Sequence, residues 1–324
     1  MGVNLEIPFG SLEVMNPEEL AAAIRSANLE PCQLSRGPSP SRLARLMCPS
    51  VCLDFAELGP AMLFTGMMPM DCYTLVFVTR CPETGRSFNF ATEHSDGYMG
   101  FFPPGGELDA YTPEGYSNAT LTVPAGEFQR ALEQWFPEIP DRILKHGSGM
   151  RIGAAEQARL RILLAAVMDG ISDPSGPFLG SPARREVERS LLEVFLGALR
   201  CGHPVPVPKC RIAGRLKHLR QARDFIKESA HESIQLGDVG DVLGMSARGV
   251  EVLFRSSLGI GPNAFIRHQR LHGVRRALLA AEPEAGVVKE LALQWGFWHM
   301  GHFSENYRTL FGECPTSTLT RPHA

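Results

Sequence analysis

The spacing of the hydrophobic residues changes along the chain and separates a strand-rich part from a helical part. From about Val51, short apolar runs alternate with turns rich in Gly, Pro and Asp, a pattern typical of an antiparallel sandwich or barrel. The predicted strands are Val51 to Phe55, Met62 to Met67, Tyr73 to Val78, Ser87 to Ala91, Tyr98 to Phe102 and Asn118 to Val123. We therefore expect an N-terminal antiparallel β barrel of the jelly-roll, cupin-like kind, which can enclose one small ligand.

Helical spacing, with apolar residues three and four positions apart, flanks this barrel and makes the expected fold class α+β. The predicted helices are Pro17 to Ala27, Ala125 to Phe136, Ala154 to Met168 and Ala183 to Leu199. Their apolar faces must be buried against the barrel, each other or a second copy of the chain. The stretch Cys201 to Pro208 holds three prolines and cannot continue a helix. It predicts a linker over 201–210, between a domain that holds the barrel and its flanking helices (1–200) and an all-α domain (211–324).

The all-α domain contains a helix-turn-helix pattern over about 234–258. Gly244 suits the left-handed residue that ends a helix, and Ser246 suits the N-cap of the next helix, Ala247 to Leu258. A short turn followed by a helix with a polar face is the layout that places a recognition helix in the major groove of DNA.

A similar pattern recurs over about 287–311. Gly296-Phe297 forms the turn, and the predicted second recognition helix runs from Trp298 to Phe311. Superposing Gly244 on Gly296 also brings Leu258-Gly259 near Phe311-Gly312, so a unit of about fifty residues occurs twice. A long, arginine-rich helix that begins at Pro262 joins the two units.

The exposed positions of the two recognition helices supply the candidate DNA contacts. They are Ser246, Arg248, Glu251, Val252 and Arg255 in the first unit, and His299, Met300, His302, Glu305 and Arg308 in the second. Arg248 could pair with guanine and Glu251 could accept from cytosine, whereas Arg255 suits a phosphate.

The second recognition helix departs from this chemistry. His299 offers a weaker cap than Ser or Asp, and Met300 and Glu305 cannot read guanine. We expect this helix either to rest on the DNA backbone through Arg308 or to read thymine methyl groups through Met300. Trp298 is expected to pack rather than to read bases.

The net charge of −3 conceals an asymmetry between the two halves of the chain. From Lys209 onward, 16 Lys and Arg face 11 Asp and Glu, a net charge of +5, whereas the preceding part carries 16 against 24. Clustered positive charge suits phosphate contact, because each neutralised phosphate releases condensed counterions. The charge distribution therefore agrees with a DNA-binding C-terminal domain.

Two runs of sequence resemble the DNA-binding domain of the AraC/XylS family of bacterial regulators. They are LGMSARGVEVLFRSSLGIGPNAFIRHQRL and LALQWGFWHMGHFSENYRTLFGECPTSTL, within Ile234 to Leu319. The second run keeps the family's G-F…H-F-S…Y-R…F-G…P signature with its spacing, and its sequence is similar to that of the XylS branch. The N-terminal part matches only loosely, as an effector-binding and dimerising domain that varies across the family.

The resemblance implies a cytoplasmic, homodimeric activator of a catabolic operon that responds to a small-molecule effector. Its partners would be double-stranded promoter DNA and RNA polymerase. The two recognition helices would enter successive major-groove segments about 34 Å apart, which is one helical turn. Aromatic acids are effectors in the XylS branch, although the residues of this chain do not single them out.

The effector candidates are residues of the predicted barrel strands. They are Tyr73, Phe77, Arg80, His94 and Tyr98, of which the arginine would suit an anionic effector. Two alternatives remain open. The barrel could be a metal-dependent, cupin-type enzyme fused to a DNA-binding domain, or its interior could be filled, which would make the protein a constitutive regulator.

Other classes of protein find little support. No nucleophile elbow, Walker loop or dinucleotide fingerprint is present, so neither catalysis nor a cofactor is expected. No apolar stretch reaches 18 residues, and Met1 to Gly10 does not resemble a signal peptide, so we expect neither membrane insertion nor secretion. The eight cysteines are scattered and are expected to be free thiols. His268 and His272 have helical spacing, but no Glu of the zinc-protease motif lies between them, so no metal is expected.

Overall fold

The computed structural model describes residues 9–321, except 15, 25–26, 39, 83–86, 90–91, 140–147, 174–177, 179, 206–211 and 233. The chain forms two compact units. The amino-terminal unit comprises Val3–Pro31 and Pro40–Val207, and the carboxy-terminal unit comprises Pro208–Ala324 together with the short segment Cys32–Ser39. The first is rich in antiparallel strands and the second is helical, which agrees with the expected α+β class.

The amino-terminal unit is built on two antiparallel sheets. The strands are β1 (Phe9–Val14), β2 (Asn28–Gln33), β3 (Ser41–Met47), β4 (Cys52–Leu58), β5 (Met62–Met67), β6 (Cys72–Arg80), β7 (Ser87–Asn89), β8 (Thr92–His94), β9 (Tyr98–Phe102), β10 (Glu107–Thr112), β11 (Tyr116–Pro124), β12 (Ser148–Arg151) and β13 (His203–Pro204). The larger sheet has the order β1-β3-β4-β11-β6-β9-β12-β13, and the smaller has the order β2-β5-β10-β7-β8. Each predicted strand has a counterpart, whereas β1, β2, β3, β8, β10, β12 and β13 were not predicted.

Within its described residues, this unit contains four helices, at positions close to the four that were predicted. They are α1 (Pro17–Ala23), α2 (Ala125–Trp135), α3 (Ala154–Ser172) and α4 (Ser181–Cys201). Asn16 caps α1, because its side-chain oxygen accepts a hydrogen bond of 2.9 Å from the backbone N–H of Glu19. The apolar faces of α2, α3 and α4 share one core cluster with residues of the larger sheet, which buries them as their spacing required.

The strands β3, β4, β6, β9 and β11 of the larger sheet contact the helix-facing core on one face and a cavity on the other. In β6, Leu75 and Phe77 belong to the core cluster with the helices, whereas Thr74 and Val76 line a cavity on the opposite face. Successive side chains of a strand point to opposite sides, so each strand contributes one row to the helix-facing core and the other to the cavity.

The predicted linker differs from what is observed. His203–Pro204 pairs with Met150 and Arg151 of β12 instead of crossing between the units as free chain, because extended proline-containing segments are tolerated at a sheet edge. Cys201 is the last residue of α4, and residues 206–210 of the predicted linker lie outside the described residues.

The carboxy-terminal unit contains seven helices within the described residues. They are α5 (Ile212–Glu228), α6 (Leu236–Leu243), α7 (Ala247–Leu258), α8 (Pro262–Ala280), α9 (Val287–Gln294), α10 (Met300–Phe311) and α11 (Pro315–Leu319). The bounds of α7 are those predicted, whereas α10 begins two residues later than Trp298. Helix α10 packs on α8 through Phe303, Tyr307 and Leu310, which share a core cluster with Leu271 and Val274. The long helix α8 therefore contributes to the centre of this core.

The segment Cys32–Ser39 packs within the same unit. The Gln33 carboxamide donates to the carbonyl oxygens of Gly37 and Leu310, each at 2.9 Å, and the Gly37 N–H donates to the Thr309 carbonyl at 2.7 Å. The carbonyl of Gln33 lies 3.2 Å from Nε2 of His272, which is fully buried. These contacts satisfy backbone groups at the C-terminal end of α10.

Candidate DNA-binding surface and ligand cavity

The first helix pair, α6 and α7, is held by a well-capped turn. Gly244 ends α6 with φ of 62°, in the left-handed region that glycine adopts without a steric penalty. Ser246 begins α7, and its Oγ accepts a hydrogen bond of 3.2 Å from the backbone N–H of Gly249. Ser246 therefore fixes the start of α7, a structural role that sequence spacing had anticipated.

One face of α7 is exposed and carries the remaining candidate residues of the first pair. Arg248, Val252 and Arg255 are exposed and Glu251 is half-buried, whereas Leu253 and its neighbours turn inward. Positions three and four apart lie on one helix face, so these four side chains form a single stripe. Nε of Arg255 lies 2.5 Å from a carboxylate oxygen of Glu251, while no carboxylate of the described residues pairs with Arg248. Arg248 is thus the guanidinium of this stripe that is available to a base.

The second helix pair, α9 and α10, has a weaker start. Gly296 makes the turn with φ of 79°, but His299 occupies the N-cap of α10 without a side-chain hydrogen bond to the helix. His302, Glu305 and Arg308 are exposed on α10, and Met300 is half-buried.

Trp298 contradicts the expectation that it packs, since 75% of its surface is exposed. The packing tryptophan is Trp295, whose ring lies against the backbone of Gly273 and stacks near His231 with the ring centroids 3.9 Å apart. Trp295 therefore packs within the unit, whereas Trp298 lies in solvent just before α10.

The arginines of α8 mostly form contacts within the carboxy-terminal unit. Arg275 is buried against Glu313, Arg270 donates a hydrogen bond of 3.0 Å to the Ala230 carbonyl, and only Arg267 and Arg276 are exposed. The positive charge of this helix is therefore smaller at the surface than its sequence indicates.

The amino-terminal unit contains a cavity of about 250 Å³ between its two sheets. The larger sheet contributes Arg45, Asp54, Thr74, Val76, Tyr98, Gly100, Phe102, Tyr116, Asn118, Thr120 and Thr122, and the smaller contributes Leu29, Phe64, Leu108, Ala110 and Thr112. Most of the wall is apolar, with a few polar groups, as is common in small-molecule sites.

The predicted effector residues are distributed over both sides of the sheet. Tyr98 lines the cavity. Tyr73 and Phe77 lie on the opposite face, where Tyr73 stacks on Phe128 of α2 with ring centroids 4.1 Å apart. Arg80 is exposed at the end of β6, and the side chain of His94 lies outside the described residues. The cavity-facing residues of β6 are the neighbours of the predicted ones, because a shift of one position exchanges the two faces of a strand.

The charged residues that line the cavity are Arg45 and Asp54, which sequence reasoning missed. They form a bidentate pair, with Nε to Oδ1 at 2.5 Å and Nη2 to Oδ2 at 3.0 Å. Arg45 and Asp54 lie directly opposite each other on the neighbouring strands β3 and β4. This pairing of opposite charges is the one signal that could have indicated the two residues.

Buried histidines and cysteines of the described residues serve packing. Burial lowers the pKa of His268 to about 3, helped by His272 and nearby arginines, so its ring is neutral. Burial also raises the pKa of Cys48 and of Cys52 to about 12, which keeps both thiols protonated. Within the described ranges, no group of three or more His, Cys, Asp or Glu side chains is arranged to hold a metal ion. Across the same ranges, no helix is long and apolar enough to span a membrane.

Comparisons with known proteins agree with the helical geometry of the carboxy-terminal unit. A family model described as a helix-turn-helix domain matches residues 239–321. The XylDLEGF operon transcriptional activator 3 of Pseudomonas putida is 40% identical over 99 residues, which are 30% of this chain and 29% of the activator. The transcriptional activator NphR of a Rhodococcus species is 28% identical over 178 residues, which are 55% of this chain and 50% of that protein.

A solved structure described as a probable AraC family transcriptional regulator from Rhodopseudomonas palustris CGA009 is 34% identical; the match covers 33% of this chain and 99% of that one, with a TM-score of 0.31. The chain spans less than a third of the first activator's length. The helix pairs and their matching family model define a DNA-binding protein of the helix-turn-helix class. The helix-turn-helix region over 239–321 resembles the DNA-binding domain of AraC/XylS-type transcription regulators.

Proposed function

We propose that the chain is a sequence-specific, small-molecule-responsive activator of transcription whose target is a catabolic operon. The observation that carries this proposal is the exposed stripe of α7, in which Arg248 stands free of carboxylates on a helix that Ser246 caps. A rigid helix with an available guanidinium at its N-terminal end suits bidentate recognition of guanine in the major groove.

The two helix pairs would serve as two helix-turn-helix units that contact DNA in different ways. The pair α6–α7 would read bases, with Arg248 on guanine, Glu251 and Val252 beside it and Arg255 near a phosphate. The pair α9–α10 would contribute backbone contact through Arg308 and shape readout, since Met300 and Glu305 offer no partner for guanine. The exposed Trp298 would add an apolar contact at the DNA edge of this second unit.

The amino-terminal unit would be a cupin-like jelly-roll that holds the effector between its sheets. Support comes from the cavity of about 250 Å³, because a filled interior would leave no such space. A ligand that distinguishes two states of the protein would shift their populations and so control DNA binding or activation.

Homodimerisation and contact with RNA polymerase complete the proposal. The relatives named above are transcriptional activators, which supports a polymerase partner. Ile162 of α3 is 72% exposed, and such a side chain would be covered in a dimer built on this helix. Sedimentation of the wild type and of Ile162→Glu tests this point: a dimer that the substitution leaves intact does not use α3.

The experiment that tests the central proposal is a gel-shift titration of the full chain on DNA from upstream of its neighbouring genes, with unrelated DNA as competitor. We expect specific binding that survives the competitor, and Arg248→Ala should weaken it by about 1–3 kcal/mol and relax preference at one base pair. The matched control is Arg159→Ala, an exposed arginine of α3 with the same charge change, which should leave affinity unchanged. Equal losses on all sequences would make Arg248 a phosphate contact, and an absence of specific binding with and without candidate effectors would overturn the regulator function.

A further inference from the structure

The cavity of the amino-terminal unit offers polar groups but no net charge. We propose that it binds a neutral, largely apolar ligand that carries one or two uncharged oxygen groups, and that it excludes carboxylates. This inference rests on the effector-responsive function proposed above and specifies the class of its ligand.

Charge balance in the wall is the first argument. Arg45 and Asp54 are the charged residues among those that line the cavity. They close on each other through two hydrogen bonds, and Nη2 of Arg45 also donates a hydrogen bond of 3.1 Å to the Ala23 carbonyl. A ligand carboxylate beside this pair would meet a guanidinium whose charge Asp54 already neutralises, and the Asp54 carboxylate would repel it at the same place. A ligand cation would meet the same obstacle from Arg45.

Unpaired hydroxyl groups are the second argument. Thr74 of β6 is 1% exposed and Thr112 of β10 is 5% exposed, and neither hydroxyl has a hydrogen-bond partner in the described part of the chain. Both residues line the cavity, one from each sheet. A buried hydroxyl without a partner is unfavourable, so a ligand oxygen that bonds to either hydroxyl would be stabilised in this site.

The size and polarity of the cavity are the third argument. The wall is mostly aliphatic and aromatic, with Phe64, Phe102 and Leu108 among its larger members. A dry apolar cavity of about 150 Å³ is known to hold benzene, so 250 Å³ corresponds to a ligand of about ten non-hydrogen atoms. The three arguments together describe a compact aromatic or alicyclic alcohol, phenol, ketone or amide.

Calorimetry on the full chain at pH 7.5 with four probes of one skeleton tests the inference. The probes are naphthalene, 1-naphthol, 2-naphthamide and 2-naphthoate, of which only the last is ionised. We expect 1-naphthol and 2-naphthamide to bind, and 2-naphthoate to bind at least about tenfold more weakly than the amide.

Two sets of variants connect binding to the named residues. Thr74→Val and Thr112→Val should each reduce the preference for the amide over naphthalene by about two- to tenfold, because each removes one hydrogen bond. Thr79→Val is the control, since Thr79 belongs to the same strand but not to the cavity wall. Asp54→Asn should raise the affinity for 2-naphthoate at least about tenfold, because it leaves the Arg45 charge without an acidic partner.

Each outcome bears on the inference separately from DNA binding. Stronger or equal binding of 2-naphthoate by the wild type would overturn it, and so would the failure of all four probes to bind. A preference for the amide that survives both threonine substitutions would also overturn the assigned hydrogen bonds. None of these results changes the gel-shift, whereas loss of specific DNA binding with normal probe binding would refute the regulator function alone. If Asp54→Asn does not fold, as judged by circular dichroism, the probe series and the threonine variants still decide.

Discussion

Arg275 and Glu313 form an ion pair inside the carboxy-terminal unit, with Nη1 of the arginine 2.6 Å from Oε1 of the glutamate. Arg275 lies on the long helix α8 and its side chain is 1% exposed, with the guanidinium 4.7 Å from the ring centre of Phe311. The pair ties α8 to the turn that follows α10. Burial raises the pKa of Glu313, but the charges of Arg275 and Arg321 and the hydrogen bonds from Arg275 and Thr318 together lower it below its ordinary value.

Glu313→Gln should destabilise the carboxy-terminal unit by about 3 kcal/mol, because it leaves the buried Arg275 charge uncompensated. Chemical denaturation followed by tryptophan fluorescence measures this change. Arg321→Gln is the control: Arg321 touches the same carboxylate at 2.8 Å but is 35% exposed, so its loss should stay below about 1 kcal/mol. Equal losses from the two substitutions would contradict the central role of Arg275.

Gly273→Ala should be destabilising, by about 1–3 kcal/mol, because a methyl group at this position would meet the ring of Trp295 at 2.2 Å. Thermal denaturation and the fluorescence of the displaced tryptophan report the effect. Gly237→Ala, in α6, has no atom within 4 Å of the new methyl group and should be neutral or stabilising. A neutral Gly273→Ala would mean that Trp295 does not pack on α8 as described.

His299→Ser should stabilise α10 by about 1 kcal/mol, because the serine would supply the side-chain hydrogen bond that the N-cap of this helix lacks. The mirror substitution, Ser246→Ala, should remove a similar amount from α7. Hydrogen exchange at the first turn of each helix separates the two effects. No change in exchange at α10 would show that its start is already held by other groups.

Glu251→Gln should raise affinity for unrelated DNA and steepen its salt dependence by about one counterion, because Arg255 would be released toward the phosphates. Binding measured over a range of salt concentrations gives this slope. Glu282→Gln, an exposed residue after α8 with the same charge change, should not alter the slope. If Glu251→Gln instead changes preference at a single base pair, Glu251 itself reads the DNA.

Acid should weaken the carboxy-terminal unit through its buried histidines. Burial lowers the pKa values of His268 and His272 to about 3, with Arg275 and Arg276 also lowering that of His272. An unfolded histidine has a pKa of about 6.5, so below that pH the unfolded chain binds protons that the folded chain does not. Stability is therefore complete above about pH 6.5 and falls by about 1.4 kcal/mol per pH unit for each histidine below it.

Denaturation of the wild type and of His268→Leu between pH 7.5 and 5 checks the contribution of one histidine. The variant lacks one of the two buried histidines, so its free energy of unfolding should fall on acidification by about 1.4 kcal/mol per pH unit less than that of the wild type. Parallel pH profiles for the two proteins would show that His268 is protonated in the folded state.

The sequence was most informative where local chemistry fixes the backbone. Gly244 and Ser246 set the bounds of α7, because a left-handed glycine and a hydroxyl cap act over a few residues and can be read without knowing what packs nearby. The weak cap at His299 was confirmed for the same reason.

Residues of the cavity were harder to assign, since their roles depend on tertiary contacts. Thr74 and Leu75 are both buried, one by the cavity and one by helices, so β6 shows no alternation from which its inner face can be read. Tyr73 and Phe77 are large and aromatic and were preferred for that reason, but they face α2 and the core. Strand β3 was missed because its arginines obscure the apolar pattern, and only the structure shows that Arg45 is neutralised by Asp54.

Under the proposed function, in which both helices bind DNA, the unlike starts of α7 and α10 have a consequence for the operator. Both helices belong to one chain and are separated by the 19-residue helix α8, so the order in which they meet the duplex is fixed covalently. A binding site that is turned around would present to His299 and Met300 the bases suited to Arg248. Two identical readers related by a two-fold axis would accept either orientation, as in palindromic sites. A pair of different readers gives the site a polarity, and each bound protein would then face a defined direction along the gene.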